Sequence, residues 1–204
     1  MYIQEENSSR AEKQAILLEA ATAIYARQGD VTARELAAAT GMNSAALNYY
    51  FGSKDGLMMQ IEQKLLDVFI EEIRLHSDSR LKTEDKLYDL LLAVNNRLRD
   101  NPGLTRHLVE MMIAGNSRVY QLLDQAVGSN SPIFAIFSNV LSEVGITDEN
   151  EIWHRMIIAV SALAPTMVIG LGNNASAAEF ESLRQIEFSE HHIRSLAHML
   201  LANQ

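Results

Sequence analysis

Cysteine is absent from the 204-residue chain, which excludes disulfides, thiolate zinc sites, iron–sulfur clusters and cysteine nucleophiles. Proline is scarce at 3 residues and glycine stands at 10, so low-complexity and collagen-like chains are excluded as well. The opening Met1-Tyr-Ile-Gln-Glu-Glu has neither a basic region nor an apolar stretch, and the expected location is the cytoplasm. No run of about 20 apolar residues is present. The uncharged stretch 156–172 falls short of that and holds Ser161, Pro165 and Thr166. It is expected to be a helix buried on most sides, in the core or at a subunit interface, and no membrane is expected as a partner. Positive charge is lacking too. A formal net charge of −9 argues against a basic nucleic-acid coat, but it leaves room for a small DNA-reading head on an acidic body. Alternating Val/Ile/Thr runs bounded by turn residues are missing, so no strands are expected.

What the chain has is apolar content, at 48%, arranged with helical periodicity. Ile16, Leu17, Ala20, Ala21, Ile24 and Tyr25 make one face, and Gly29 is placed to end that helix. Thr32-Ala-Arg-Glu35 reads as a capping box. A short helix follows it, stopped by Gly41, and Asn43 or Ser44 caps another. Ser53 caps a long helix with an inner face of Leu57, Ile61, Leu65, Val68 and Ile73. Leu87, Leu90, Leu91, Val94 and Leu98 form a further stripe. Asn101-Pro102 and Ser131-Pro132 place a capping side chain before a proline at the first helical position. Asp148, Glu149 and Glu151 suit the first turn of the uncharged helix, Ser176-Ala-Ala-Glu179 repeats the capping box, and a last helix spans 189–202. The expected fold is all-α, with nine or ten helices.

Residues 32–57 carry the functional signal. Two short helices separated by Gly41-Met42-Asn43 fit a helix-turn-helix, in which Leu36, Ala37, Met42 and Leu47 fix the angle. Ser44, Ala45, Asn48 and Tyr49 would then face base edges in the major groove. By spacing alone, an ordinary corner between two bundle helices fits equally well. The run from Gly41 to Leu57 ends in Tyr50-Phe-Gly-Ser-Lys54-Asp-Gly-Leu57. It resembles the signature of the TetR (tetracycline-repressor-like) family, in which a recognition helix leads into an aromatic–Phe–x–Ser–Lys–acidic–x–Leu junction.

The resemblance covers about the first quarter of the chain. It implies an N-terminal three-helix DNA-binding domain, 1–53, and a larger C-terminal helical domain, 54–204, for ligand sensing and dimerisation. The expected partners are double-stranded DNA carrying a palindromic operator, a second copy of the chain and a small-molecule effector. The expected activity is repression relieved by that effector. Asn43, Tyr49, Tyr50 and Lys54 are expected on phosphates. Arg34, Ser44 and Asn48 are expected at base edges, with Ala45 available for a thymine methyl. Asn48 and Tyr50 stand where the family often has Tyr and His, so these positions bear on which operator is read. Between Ser8 and Met58, five basic residues face five acidic ones, which is little positive charge for a DNA-binder.

In the C-terminal part, Asn95 and His107 fall on inward stripes. Either they are core groups satisfied by backbone, or they orient a ligand in an apolar pocket. Met111, Phe134, Phe137 and Trp153 are the candidate lining, with Met112, Tyr120 and Met156 near them. The expected ligand is a mostly hydrophobic or aromatic small molecule. The alternative is a DNA-associated protein whose body binds another protein. Residues 156–172 and 189–202 are expected to pair with their symmetry mates as a four-helix bundle. Three other readings fail on context. Gly170-Leu-Gly172 follows a helical run rather than a strand. Glu151-x-x-His154 is a single copy of a di-iron spacing that needs two. His191 and His192 point about 100° apart on a helix. No nucleophile–base pair is identifiable, so the expectation is no enzyme, no cofactor and no metal.

Overall fold

The computed structural model describes residues 2–43, 45–75, 80–169 and 190–202, with side-chain surroundings for 10–43, 45–74, 80–163 and 190–202. Ten helices lie among them: α1 (Tyr2–Gln28), α2 (Ala33–Thr40), α3 (Ala46–Phe51), α4 (Lys54–Leu75), α5 (Thr83–Asp100), α6 (Pro102–Ile113), α7 (Ser117–Val127), α8 (Pro132–Ser142), α9 (Glu149–Ile169) and α10 (Glu190–Leu201). No strand occurs among the described residues. No helix among them is long and apolar enough to cross a membrane. Ser44, the Gly170–Ala175 stretch and the capping box expected at Ser176–Glu179 lie outside the described residues.

The chain divides into two compact units, Met1–Asp67 and Val68–Gln204. The division falls inside α4 rather than at its start, because Leu57, Met58, Ile61 and Leu65 are buried in the first unit along with residues of α1–α3. Gln14 bonds Gln60 at 3.5 Å, and Lys64 pairs with Glu19, tying α4 to α1. Val68, expected on the inner face of α4, is instead 40% exposed. The inward stripe there is Ile73, in the core of the second unit, with the partly buried Phe69 and Ile70 packed against it.

In the first unit, Leu17, Ala21, Ile24 and Tyr25 of α1 are buried, as are Leu36 of α2 and Leu47 and Phe51 of α3. Ile16 was expected on the same face of α1 but is 49% exposed, since it sits about 100° around the helix from Leu17.

The second unit packs α5 most extensively against α10, and also against α6, α8 and α9. Its core joins Leu87, Leu90 and Leu91 of α5 with Phe137 and Leu141 of α8, Ile152 and Met156 of α9, and Ile193 and Leu196 of α10. Ser131 Oγ accepts the Phe134 N–H at 3.0 Å, the cap its sequence calls for. Asn101 does not cap α6. Its side chain turns back and donates to the Arg97 carbonyl at 2.8 Å, closing α5 instead. Arg155 is 6% exposed and donates to the Leu200 and Ala202 carbonyls, satisfying acceptors that the end of α10 would leave orphaned. The same guanidinium holds Glu151 at 2.6 Å, and His154 is exposed.

Candidate nucleic-acid interface

The turn between α2 and α3 is built from its sequence upward. Thr32 accepts the Glu35 N–H at 3.2 Å, and the Glu35 carboxylate accepts the Thr32 N–H at 3.0 Å, so the two cap α2 reciprocally. The Thr32 hydroxyl also donates to that carboxylate at 2.7 Å, and this bond first, the Thr32 N–H second, holds the Glu35 carboxyl below the usual range. Gly41 then closes α2 at φ 69°, in the left-handed region, and donates to the Ala37 carbonyl at 2.9 Å. Asn43 Oδ1 accepts the Ala45 N–H at 3.0 Å, which starts α3. Beyond α3, Ser53 Oγ accepts the Gly56 N–H at 3.0 Å. A Cβ at Gly56 would lie 2.4 Å from the Phe51 carbonyl oxygen. The glycine of the Lys-Asp-Gly-Leu run is therefore required by the close approach of α4 to the end of α3.

This local structure sorts the side chains of α3 into two sets. Leu47 and Phe51 are buried, whereas Ala45, Asn48 and Tyr49 are exposed, Tyr49 to 63%. Tyr50 is half-buried, its ring edge-on to Tyr49 with centroids 4.8 Å apart. Arg34 is exposed in the first turn of α2, and Lys54 is exposed at the start of α4. Two contacts tie this face to distant segments of the head. The Arg10 guanidinium lies 5.0 Å from the centre of the Tyr49 ring, a cation–π contact that brings α1 to α3. Asp30 holds the Lys54 ammonium at 2.6 Å. Both pairs are far apart in sequence, and no spacing signal announces either.

A two-helix corner with an exposed polar second helix and a tightly packed exit is the geometry of a DNA-reading head. Residues 17–61 match the model of the bacterial regulatory proteins of the tetR family. Over 168 residues the chain is 28% identical to the HTH-type transcriptional dual regulator CecR of Shigella flexneri, across 76% of this chain and 72% of that protein. Residues 17–61 are thus a helix-turn-helix domain of the tetR family. The chain is also 30% identical over 105 residues to the nucleoid occlusion factor SlmA of Yersinia enterocolitica, and equally to that of Sodalis glossinidius. Those matches span 50% of this chain and 53% of each SlmA protein, so the chain covers about half the length of these relatives. The protein is thus a helix-turn-helix transcription regulator.

The body of this tetR-family chain places the other candidate residues less uniformly. Phe137 lines an apolar hollow together with Leu91, Val94, Met156, Ala159 and Leu163, with about 430 Å³ of empty space including the part open to solvent. Phe134 and Trp153 stand ring to ring, centroids 4.7 Å apart and tilted by 31°. Met111 is buried and His107 half-buried, both on α6. Tyr120 is 58% exposed, so it is surface rather than lining. Asn95, one helical turn beyond Leu91, is 0% exposed, and neither its Oδ1 nor its Nδ2 has a hydrogen-bond partner among the described residues. No cluster of three metal-ligating side chains occurs among the described residues.

The Arg10–Tyr49 contact carries a direct test. Arg10→Gln is expected to cost about 0.5–1 kcal/mol of stability, the usual size of an exposed cation–π pair. It should also shift the Tyr49 ring proton resonances in NMR spectra of the free protein. Unshifted Tyr49 resonances would contradict the contact.

Proposed function

We propose that this tetR-family regulator is a homodimeric repressor that binds a palindromic operator and is released by a small, mostly apolar ligand. On DNA, Asn43, Tyr49, Tyr50 and Lys54 contact phosphates and set register, while Arg34, Ser44 and Asn48 read base edges and Ala45 meets a thymine methyl. The exposure of Ala45, Asn48 and Tyr49 on a helix whose other face is buried supports this assignment. Arg34→Ala is expected to cost about 1–3 kcal/mol and relax specificity at one base pair, whereas Lys54→Ala weakens all sequences alike. Binding of both variants to the operator and to scrambled DNA separates the roles. Equal losses on the two DNAs for Arg34→Ala would remove its base-reading role.

Dimerisation is supported by an apolar face that the single chain leaves bare. Ile157, Ile158 and Val160 of α9 are 57%, 47% and 46% exposed, and Met199 of α10 is 58% exposed. Among the described side chains of α9, Ile152, Arg155, Met156, Ala159 and Leu163 are buried, along one side of the helix. An obligate interface on the order of 2,000 Å² would cover such a face. Ile158→Arg should bury an unpaired charge there, giving monomers and abolishing operator binding. Sedimentation of both proteins at micromolar concentration tests this, and a monomeric wild type would end the dimer reading.

Asn95 is the observation that carries ligand release. An amide buried without partners costs about 1–3 kcal/mol for each unsatisfied group, a cost that a ligand with its own donor and acceptor would remove. The hollow beside Leu91 and Val94 would take the apolar remainder of that ligand. Because α4 is shared by both units, a ligand in the body can act on the head through that helix. Moving the population from 99:1 to 1:99 needs about 5.5 kcal/mol of preferential affinity for the released state. Asn95→Leu is expected to raise resistance to thermal unfolding while removing the response of operator binding to effector. A true effector must bind free protein more tightly than the operator complex, by the factor with which it weakens DNA binding.

The second reading is a DNA-associated protein whose body docks another protein. Ile113, Tyr120 and Leu123, exposed at the end of α6 and on α7, favour it, as do relatives named for nucleoid occlusion. If every small molecule that binds the body leaves operator affinity unchanged, this reading replaces the first.

A further inference from the structure

The head of this protein combines a DNA-facing lysine with an acid placed directly upon it. Lys54 Nζ lies 2.6 Å from one carboxylate oxygen of Asp30 and 2.8 Å from the other. The two residues are 24 positions apart, so folding of the head, not local sequence, makes the pair. Their side chains are 50% and 56% exposed, and exposed pairs of this kind add little to folding. Glu35, in the first turn of α2, lies within electrostatic reach of both charges. A carboxylate gripping an ammonium through two oxygens resembles the way a phosphate would take the same group.

Resting on the DNA-binding reading above, we propose that Asp30 sets the DNA affinity of the head by occupying Lys54 in the free protein. To meet a phosphate, Lys54 has to leave Asp30 or share itself with it. In the first case Asp30 loses its lysine beside the duplex, and in the second the phosphate receives only part of the ammonium's charge. The Lys54–Asp30 pair then brings no net positive charge to the DNA, and it releases fewer counterions than a lone lysine would. The effect is blind to sequence, so it lowers operator and non-operator binding together. It leaves discrimination to the side chains of α3 and to Arg34. In a head with as many acids as bases between Ser8 and Met58, one committed lysine is a large share of the electrostatic attraction.

The test uses the full chain and two duplexes, one enriched from a random pool by the wild-type protein and one scrambled. Asp30→Asn keeps an oxygen for the Val31 N–H that Asp30 Oδ1 accepts at 2.8 Å, so the turn is preserved. It should bind both duplexes more tightly, by about 3- to 10-fold per protomer. The slope of log affinity against log salt should steepen by about 0.9 per protomer. In a Lys54→Gln background most of that gain should vanish, leaving only the relief of repulsion between Asp30 and DNA. Asp30→Ser serves as the second variant if Asn disturbs the fold, which urea unfolding reports. A gain of the same size with and without Lys54 would mean that Asp30 acts through net charge alone, and the proposal fails. Unchanged or weaker binding by Asp30→Asn also overturns it, the weaker case meaning that Asp30 holds Lys54 ready for phosphate. Failure of the wild type to bind either duplex at low salt would instead remove the DNA-binding reading itself.

Discussion

Helix α3 is only six residues long, and nucleation makes a helix of that length unstable in water on its own. Ala45, at its start, adds no side-chain cap. The exposed polar face of α3 therefore exists only because other elements hold the helix in place. Leu47 and Phe51 are buried, each such side chain stabilising by roughly 1.5–3 kcal/mol. Gly41 turns the chain into α3, and Gly56 lets α4 start against the Phe51 carbonyl. Arg10 adds a contact to the outer face through Tyr49. Apolar packing beneath α3 and glycine geometry at its two ends thus determine where Asn48 and Tyr49 point.

Charge is handled differently from packing. In a chain with a net charge of −9, several cations are engaged within the protein. Lys54 is held by Asp30 and Lys64 by Glu19 in the first unit. In the second unit Lys86 meets Glu143, Arg97 meets Glu72, and Arg155 closes the end of α10. Glu143 is held below the ordinary carboxylate range by Lys86 first and Thr83 second. Arg34 has no ion pair among the described residues, and it sits beside the helix-turn-helix corner.

The second unit leaves two kinds of group without the partner their chemistry prefers. The outer faces of α9 and α10 expose Ile157, Ile158 and Met199 to water, and the buried Asn95 amide lacks hydrogen bonds among the described residues. The first is a defect of apolar area, which another apolar surface relieves. The second is a defect of polar pairing, which only a donor and an acceptor relieve. The two are chemically distinct, so one occupant need not serve both.

Local rules made much of this architecture readable. The Thr32–Glu35 box, the Gly41 stop, the Ser53 and Ser131 caps and the buried Leu36, Leu47 and Phe51 each follow from residues within about one turn of one another. The helix-turn-helix and the Lys-Asp-Gly-Leu exit were legible for the same reason. Legibility ended where a side chain chose between near and distant partners. Asn101 bonded back to Arg97 rather than capping α6. Val68 turned outward as the inner stripe of α4 passed to Phe69 and Ile73. Ile16 and the outer face of α9 stayed exposed although their apolarity predicts burial. Asp30 against Lys54 and Arg10 over Tyr49 had no trace in spacing at all. By itself the sequence determined the helices, their caps and the family of the head, because those depend on neighbouring residues. Tertiary structure alone decided which charges neutralise each other and which amide is sealed from water, because both depend on distances between residues far apart in the chain.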